Sequence, residues 1–130
     1  MKILFFLIAL LFFPILSSYA EIITPSIPYD EKSLIVAEQI MIMAEISNSQ
    51  DNEQNFAYLT QIKNEEGVVI SLSWLTGSLS PHQSFSPAQS WIPTETGTFH
   101  VQIFVWESID NPEALSPSLS MLVHVTERGV

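Results

Sequence analysis

The chain of 130 residues contains no cysteine. No disulfide can staple it, and thiolate metal centres, blue-copper sites and thiol nucleophiles are excluded together. Glycine is scarce: four residues, each isolated, so no glycine-rich loop exists to cradle a phosphate. The sequence Gly-x-Ser-x-Gly is missing, and with it the strand-to-helix elbow that exposes a hydrolase serine. Lysine and arginine number four against 14 acidic residues, a formal net charge of −10. A surface of that sign repels nucleic acid and anionic lipid, so neither is expected as a partner. No Asn-x-Ser/Thr sequon occurs, and N-glycosylation by that route is not expected.

One long apolar run is present, and it stands at the start. Lys2 gives a short basic beginning, Ile3 to Leu16 are apolar, and Ser18 and Ala20 are small. This is the pattern of a secretory signal peptide spanning residues 1–20, with cleavage expected after Ala20. A spanning helix needs roughly 20 apolar residues, whereas this run is shorter and carries Pro14. Contact with a membrane is expected only through this segment, were it kept as an anchor. A lipidated cysteine is ruled out. Removing Lys2 with the segment leaves Lys32, Lys63 and Arg128 against all 14 acids. The expectation is a secreted or extracytoplasmic acidic protein, with residues 21–130 forming one domain.

Past residue 20 the recurring signal is period two. Residues 21–33 hold Pro25 and Pro28 and no clear period, so they are expected as an extended leader with an edge strand at Ile22–Ile23. Between Ile40 and Asn48, Ile40, Ile42, Ala44 and Ile46 alternate with Met41, Met43 and Glu45. A helix over residues 34–46 is the rival reading, since Ala, Glu, Gln and Met favour helices. Strand is preferred because everything downstream is strand-like. Further strands are expected at Phe56–Lys63, Val68–Leu75, a short pair within Ser84–Pro93 broken at Pro87, Gly97–Ser108, and Ser118–Val125. Asn64–Gly67 reads as a hairpin turn, with Gly67 free to take positive φ. The result is an all-β antiparallel sandwich of about seven strands.

In the last hairpin, centring the turn on Pro112 sets Phe99 opposite Val125, Val101 opposite Val123, Ile103 opposite Met121 and Val105 opposite Leu119. Every inward pair is then apolar. A shift by two would keep the faces and change the partners.

The stretch Phe56–Ser108 resembles the Ig-like β-sandwich modules of archaeal secreted and cell-surface proteins, which are akin to CARDB and fibronectin type III domains. The features that carry the resemblance are Trp-x-Pro at Trp91–Pro93, Gly-x-aromatic at Gly97–Phe99, the alternating strand after it, and the Val105–Ser116 run. It covers roughly residues 36–125, and residues 34–127 are taken as the domain. Glu38 and His82 stand at turns where glycine is expected, and Phe99 replaces a frequent tyrosine, so a tyrosine-corner hydroxyl is missing. Such modules imply binding, spacing or surface assembly, with a protein or an envelope component as partner; the fold alone does not decide among them.

No enzyme activity, catalytic residue, cofactor or resident metal is expected. Glu65–Glu66 fall in a turn and read as solvated rather than as the paired carboxylates of a glycosidase cleft. The first alternative is a Zn²⁺ or Cu²⁺ site at His100 and His124, which lie directly opposite in the Pro112-centred register. The oxygen-rich loops Ser49–Asn55 and Asp110–Glu113 admit at most a weak divalent-cation site, since neither has EF-hand spacing. The second alternative is a carbohydrate-binding face built on Phe104 and Trp106, with Trp74 nearby, unless the leader or a loop covers them. Trp91 is assigned to the core.

Overall fold

The computed structural model describes residues 22–127, so the expected signal peptide and its cleavage point after Ala20 lie outside them. Ten strands follow in chain order: β1 (Ile23–Ser26), β2 (Glu31–Ile35), β3 (Ile40–Met43), β4 (Glu45–Asn48), β5 (Gln54–Lys63), β6 (Val69–Leu79), β7 (Ser84–Phe85), β8 (Ala88–Trp91), β9 (Gly97–Trp106) and β10 (Leu119–Thr126). They form an Ig-like sandwich of two layers. One layer is a five-stranded sheet in the order β2-β10-β9-β5-β6. The other is β1-β4-β7, continued past Ala44 and past Ser86–Pro87 by β3-β8. The strand signal read over Ile40–Asn48 is realised as β3 and β4, and the break expected at Pro87 separates β7 from β8.

The inner face is the alternation made solid. Ile40, Ile42, Ala44, Ile46 and Asn48 are all buried, so the inward phase runs unbroken through the gap between β3 and β4. Against them stand Phe56, Tyr58 and Ile62 of β5, Phe99, Val101, Ile103 and Val105 of β9, and Met121, Val123 and Val125 of β10. Each such side chain contributes about 1.5–3 kcal/mol by leaving water. With no covalent cross-link, this packing and the strand ladders hold the fold.

The segment expected as a leader supplies strands to both layers from residue 22 onward, the first of them the edge strand expected near Ile22–Ile23. β1 pairs antiparallel with β4, and after Pro28 the chain crosses over and β2 runs parallel to β10. Trp91 is half-buried, packing edge-on against Phe99 with ring centroids 5.1 Å apart.

Two expected boundaries shift. The strand beginning at Val69 does not end at Leu75 but runs on to Leu79. Gly77 permits this: it pairs with Phe56, whose ring lies where a side chain would stand, and Leu79 then turns into the core. The β9–β10 register is the two-residue alternative. Phe99 faces Val123, Val101 faces Met121 and Ile103 faces Leu119. Near the hairpin tip Trp106 bridges to Ala114, and the next anchored pair is Ile103–Leu119. Two extra residues are therefore absorbed around Ser116–Pro117, where proline has no N–H to give the ladder.

Candidate interaction face

The five-stranded sheet turns its other side to the exterior. On β9 this side carries His100, Gln102, Phe104 and Trp106; on β5 it carries Ala57, Leu59, Gln61 and Lys63. The ladders align them in rows. Trp74, Leu59 and Phe104 form one row across β6, β5 and β9, and Thr76, Ala57 and Trp106 form the next. Gln61 donates to Gln102 at 3.4 Å one row further on. Leu59 and Ala57 are buried although they point away from the core. The three aromatic side chains flanking them shelter them: Phe104 and Trp106, tilted 43° with centroids 6.1 Å apart, and Trp74, which remains 57% exposed. The leader does not lie over these rings, because β2 sits at the far edge beyond β10. The loop leaving β9 runs back beside Trp106. The result is an aromatic patch on the outer side of the sheet, floored by Ala57 and Leu59.

The histidines are not brought together as the Pro112-centred register required. His100 stands opposite Leu122, and His124 stands opposite Thr98. The two imidazoles are thus diagonal, two pairs apart along the ladder. The His124 ring is engaged on both sides: Nδ1 lies 3.1 Å from the Thr98 hydroxyl and Nε2 meets the Glu31 carboxylate. It ties β9, β10 and β2 together. His82 pairs with Asp51 at 2.7 Å on the exposed loop edge. Among the described residues, no three His, Asp or Glu side chains converge as a metal would require. In the two oxygen-rich loops, Glu53 accepts from the Ser78 hydroxyl and Asn111 donates its amide to Glu107.

Three features went unread in the sequence. Asn48 is buried, its Nδ2 donating to the carbonyls of Asn52, Leu79 and Ser80 at 2.7, 3.2 and 3.1 Å, while Oδ1 accepts the Gln50 N–H. Its phase with Ile46 was the available signal. Tyr58 and Thr60 bury hydroxyls that find no hydrogen-bond partner among the described residues. Burial pushes the Tyr58 hydroxyl up to about 12, and the neighbouring Thr60 hydroxyl pulls the other way. Lastly, the apolar outward residues of β6 other than Trp74 were read only as part of a strand.

No family model matches the sequence, and no curated protein matches it either. Solved structures do match the fold. The CARDB domain of a Pyrococcus furiosus protein, solved in complex with di-metal ions, aligns over 82% of this chain and 90% of its own length, with TM-score 0.60 and 16% identity. The ASH/PapD-like domain of human CEP192 aligns over 91% of this chain and 93% of itself, with TM-score 0.53 and 12% identity. A family 123 glycoside hydrolase from Clostridium perfringens matches over 75% of this chain but only 23% of its own, with TM-score 0.56 and 11% identity. At such identities the likeness concerns architecture alone. The chain is an Ig-like β-sandwich module, and the CARDB domain is one it matches over most of both chains.

Proposed function

We propose that the chain is an exported, non-catalytic module that docks a protein or envelope component at the cell envelope. The observation that carries this reading is the outer face of the five-stranded sheet, where Trp74, Phe104 and Trp106 gather over Leu59 and Ala57. Aromatic side chains on a rigid sheet give large contact area at little entropic cost, which is why they anchor interfaces. The acidic remainder of the surface favours a partner that is not itself strongly acidic, and disfavours nucleic acid and anionic lipid. The test is capture from native envelope extracts by the immobilised chain. Captured material should be lost with Phe104→Ala and Trp106→Ala together, while the far-UV circular dichroism stays unchanged. Equal capture by wild type and variant would refute the reading.

A second reading, a carbohydrate-binding module, is favoured by the exposed Trp74 ring, whose face could stack on a sugar. A glycan array separates the two: hits abolished by Trp74→Ala or Trp106→Ala would support it, and an array without hits would remove it.

A further inference from the structure

The two edges of the five-stranded sheet are built differently. β2 is five residues long and displays Glu31 and Lys32, the kind of charges that discourage strand addition. β6 is eleven residues long and contains no charge. Val68, Val69, Ile70, Leu72 and Trp74 are all 46–57% exposed, a concentration of apolar surface on one open edge. The neutrality extends further: residues 67–94, which include β6, β7 and β8, contain no Asp, Glu, Lys or Arg in a chain of formal charge −10. Ser73 also hydrogen-bonds Gln89, so the uncharged strands β6 and β8 of the two layers adjoin. One carboxylate reaches β6, where Ser78 near its end donates to Glu53.

We infer that β6 is a self-pairing edge: two copies of the chain join antiparallel along it about a two-fold axis at Ser73, making one continuous ten-stranded sheet. Charge selects the occupant. A foreign partner of an acidic protein would be drawn by opposite charge, and this edge offers none for it to read. Two copies repel each other everywhere else, so the neutral side is where they can approach. Charge also selects the direction. Parallel pairing would bring the two Glu65–Glu66 turns side by side, whereas antiparallel pairing about Ser73 separates them by roughly 45 Å at about 3.4 Å per residue. In that register Leu72 of each copy faces Trp74 of the other, an apolar cross-strand pair repeated by symmetry. The outer faces of both copies stay on one side, so Phe104 and Trp106, two strands from the joint, remain free, while Trp74 is shared between the joint and the aromatic patch. The inference does not rest on the docking reading above.

The test is sedimentation of the chain, purified as the expressing cell delivers it, across a micromolar dilution series. Wild type should show twice the chain mass, and Leu72→Lys and Val69→Lys should each show the single mass with unchanged circular dichroism. The absence of cysteine allows a sharper probe. Ser73→Cys should cross-link into a dimer on mild oxidation, because residues facing each other across an antiparallel pair fall within disulfide reach. Ser120→Cys on β10 should not. Phe104→Ala with Trp106→Ala should leave the doubled mass intact, so self-pairing and docking can fail separately. A wild type of single mass, a doubled mass that survives both lysine variants, Ser73→Cys that stays uncross-linked, or an edge filled instead by another protein's strand would each overturn the inference.

Discussion

Asn48 shows how one polar side chain can hold an apolar layer. It occupies an inward position at the end of β4, and its amide satisfies carbonyls from the following loop and from the end of β6. Asn48→Ala removes the donor and leaves these acceptors in a nearly dry site, so the expected loss is about 2–4 kcal/mol in urea unfolding. Tyr58 is the opposite case, a buried hydroxyl whose polar neighbour is the Thr60 side chain, with no hydrogen bond of full geometry. Its folded value of about 12 lies above the 10.0 of the free side chain. Below pH 10 the neutral phenol prevails in both states and costs nothing further. Between about 10 and 12 the unfolded chain gives up the proton while the folded chain keeps it, so stability falls as pH rises, by on the order of 2–3 kcal/mol in all. Tyr58→Phe should flatten that part of the profile and leave stability at pH 8 equal or slightly higher. Unfolding midpoints at successive pH values check both. The turn residues were partly legible. His82, where glycine was expected, does adopt φ of 60°, but the other left-handed residue is Ala37, at 70°, and not its neighbour Glu38. A resemblance places a turn, while hydrogen bonding places the strained residue: the Ala37 N–H must reach the carbonyl of Pro93.

At the scale of elements, faces were legible and partners were not. Period two puts Phe99, Val101, Ile103 and Val105 on one side whatever the neighbouring strand does. It cannot distinguish two registers that differ by an even step, because both keep the faces apolar. What decides the matter is local, the two residues absorbed around Ser116–Pro117, and that accommodation has no periodic signature. The consequence reaches the histidines, which the slip separates. Zn²⁺ added to the chain should therefore not shift the His100 and His124 ring signals together; concerted, stoichiometric shifts of both would contradict the register. Ile103, buried at the centre of β9, should lose about 2–5 kcal/mol on change to Ala, read again by urea unfolding. In the leader, the edge strand expected at Ile22–Ile23 is present as β1, whereas β2 gave no periodic signal. Pro25 and Pro28 break the alternation, but Pro25 lies in β1, an edge strand where a missing N–H is tolerated, and Pro28 lies in the crossover between layers.

The whole molecule is asymmetric in its charge. Acidic residues populate the loops and the β2 edge, the five-stranded sheet gathers its aromatics on an open face, and residues 67–94 form a neutral flank. Packing explains none of this distribution, since the core is complete without the outer aromatics. A surface that hides its apolar area from solvent only partly is a surface prepared for contact. The sandwich itself was legible because alternation is dictated by the core. The outer aromatic face was legible only as a set of residues, because whether Phe104 and Trp106 are covered depends on where the leader and the loop after β9 travel. The measurement that tests this account most directly is capture of an envelope partner by wild type and by the Phe104→Ala, Trp106→Ala variant at matched folding. The account predicts capture by the first and none by the second. Undiminished capture by the variant would contradict it.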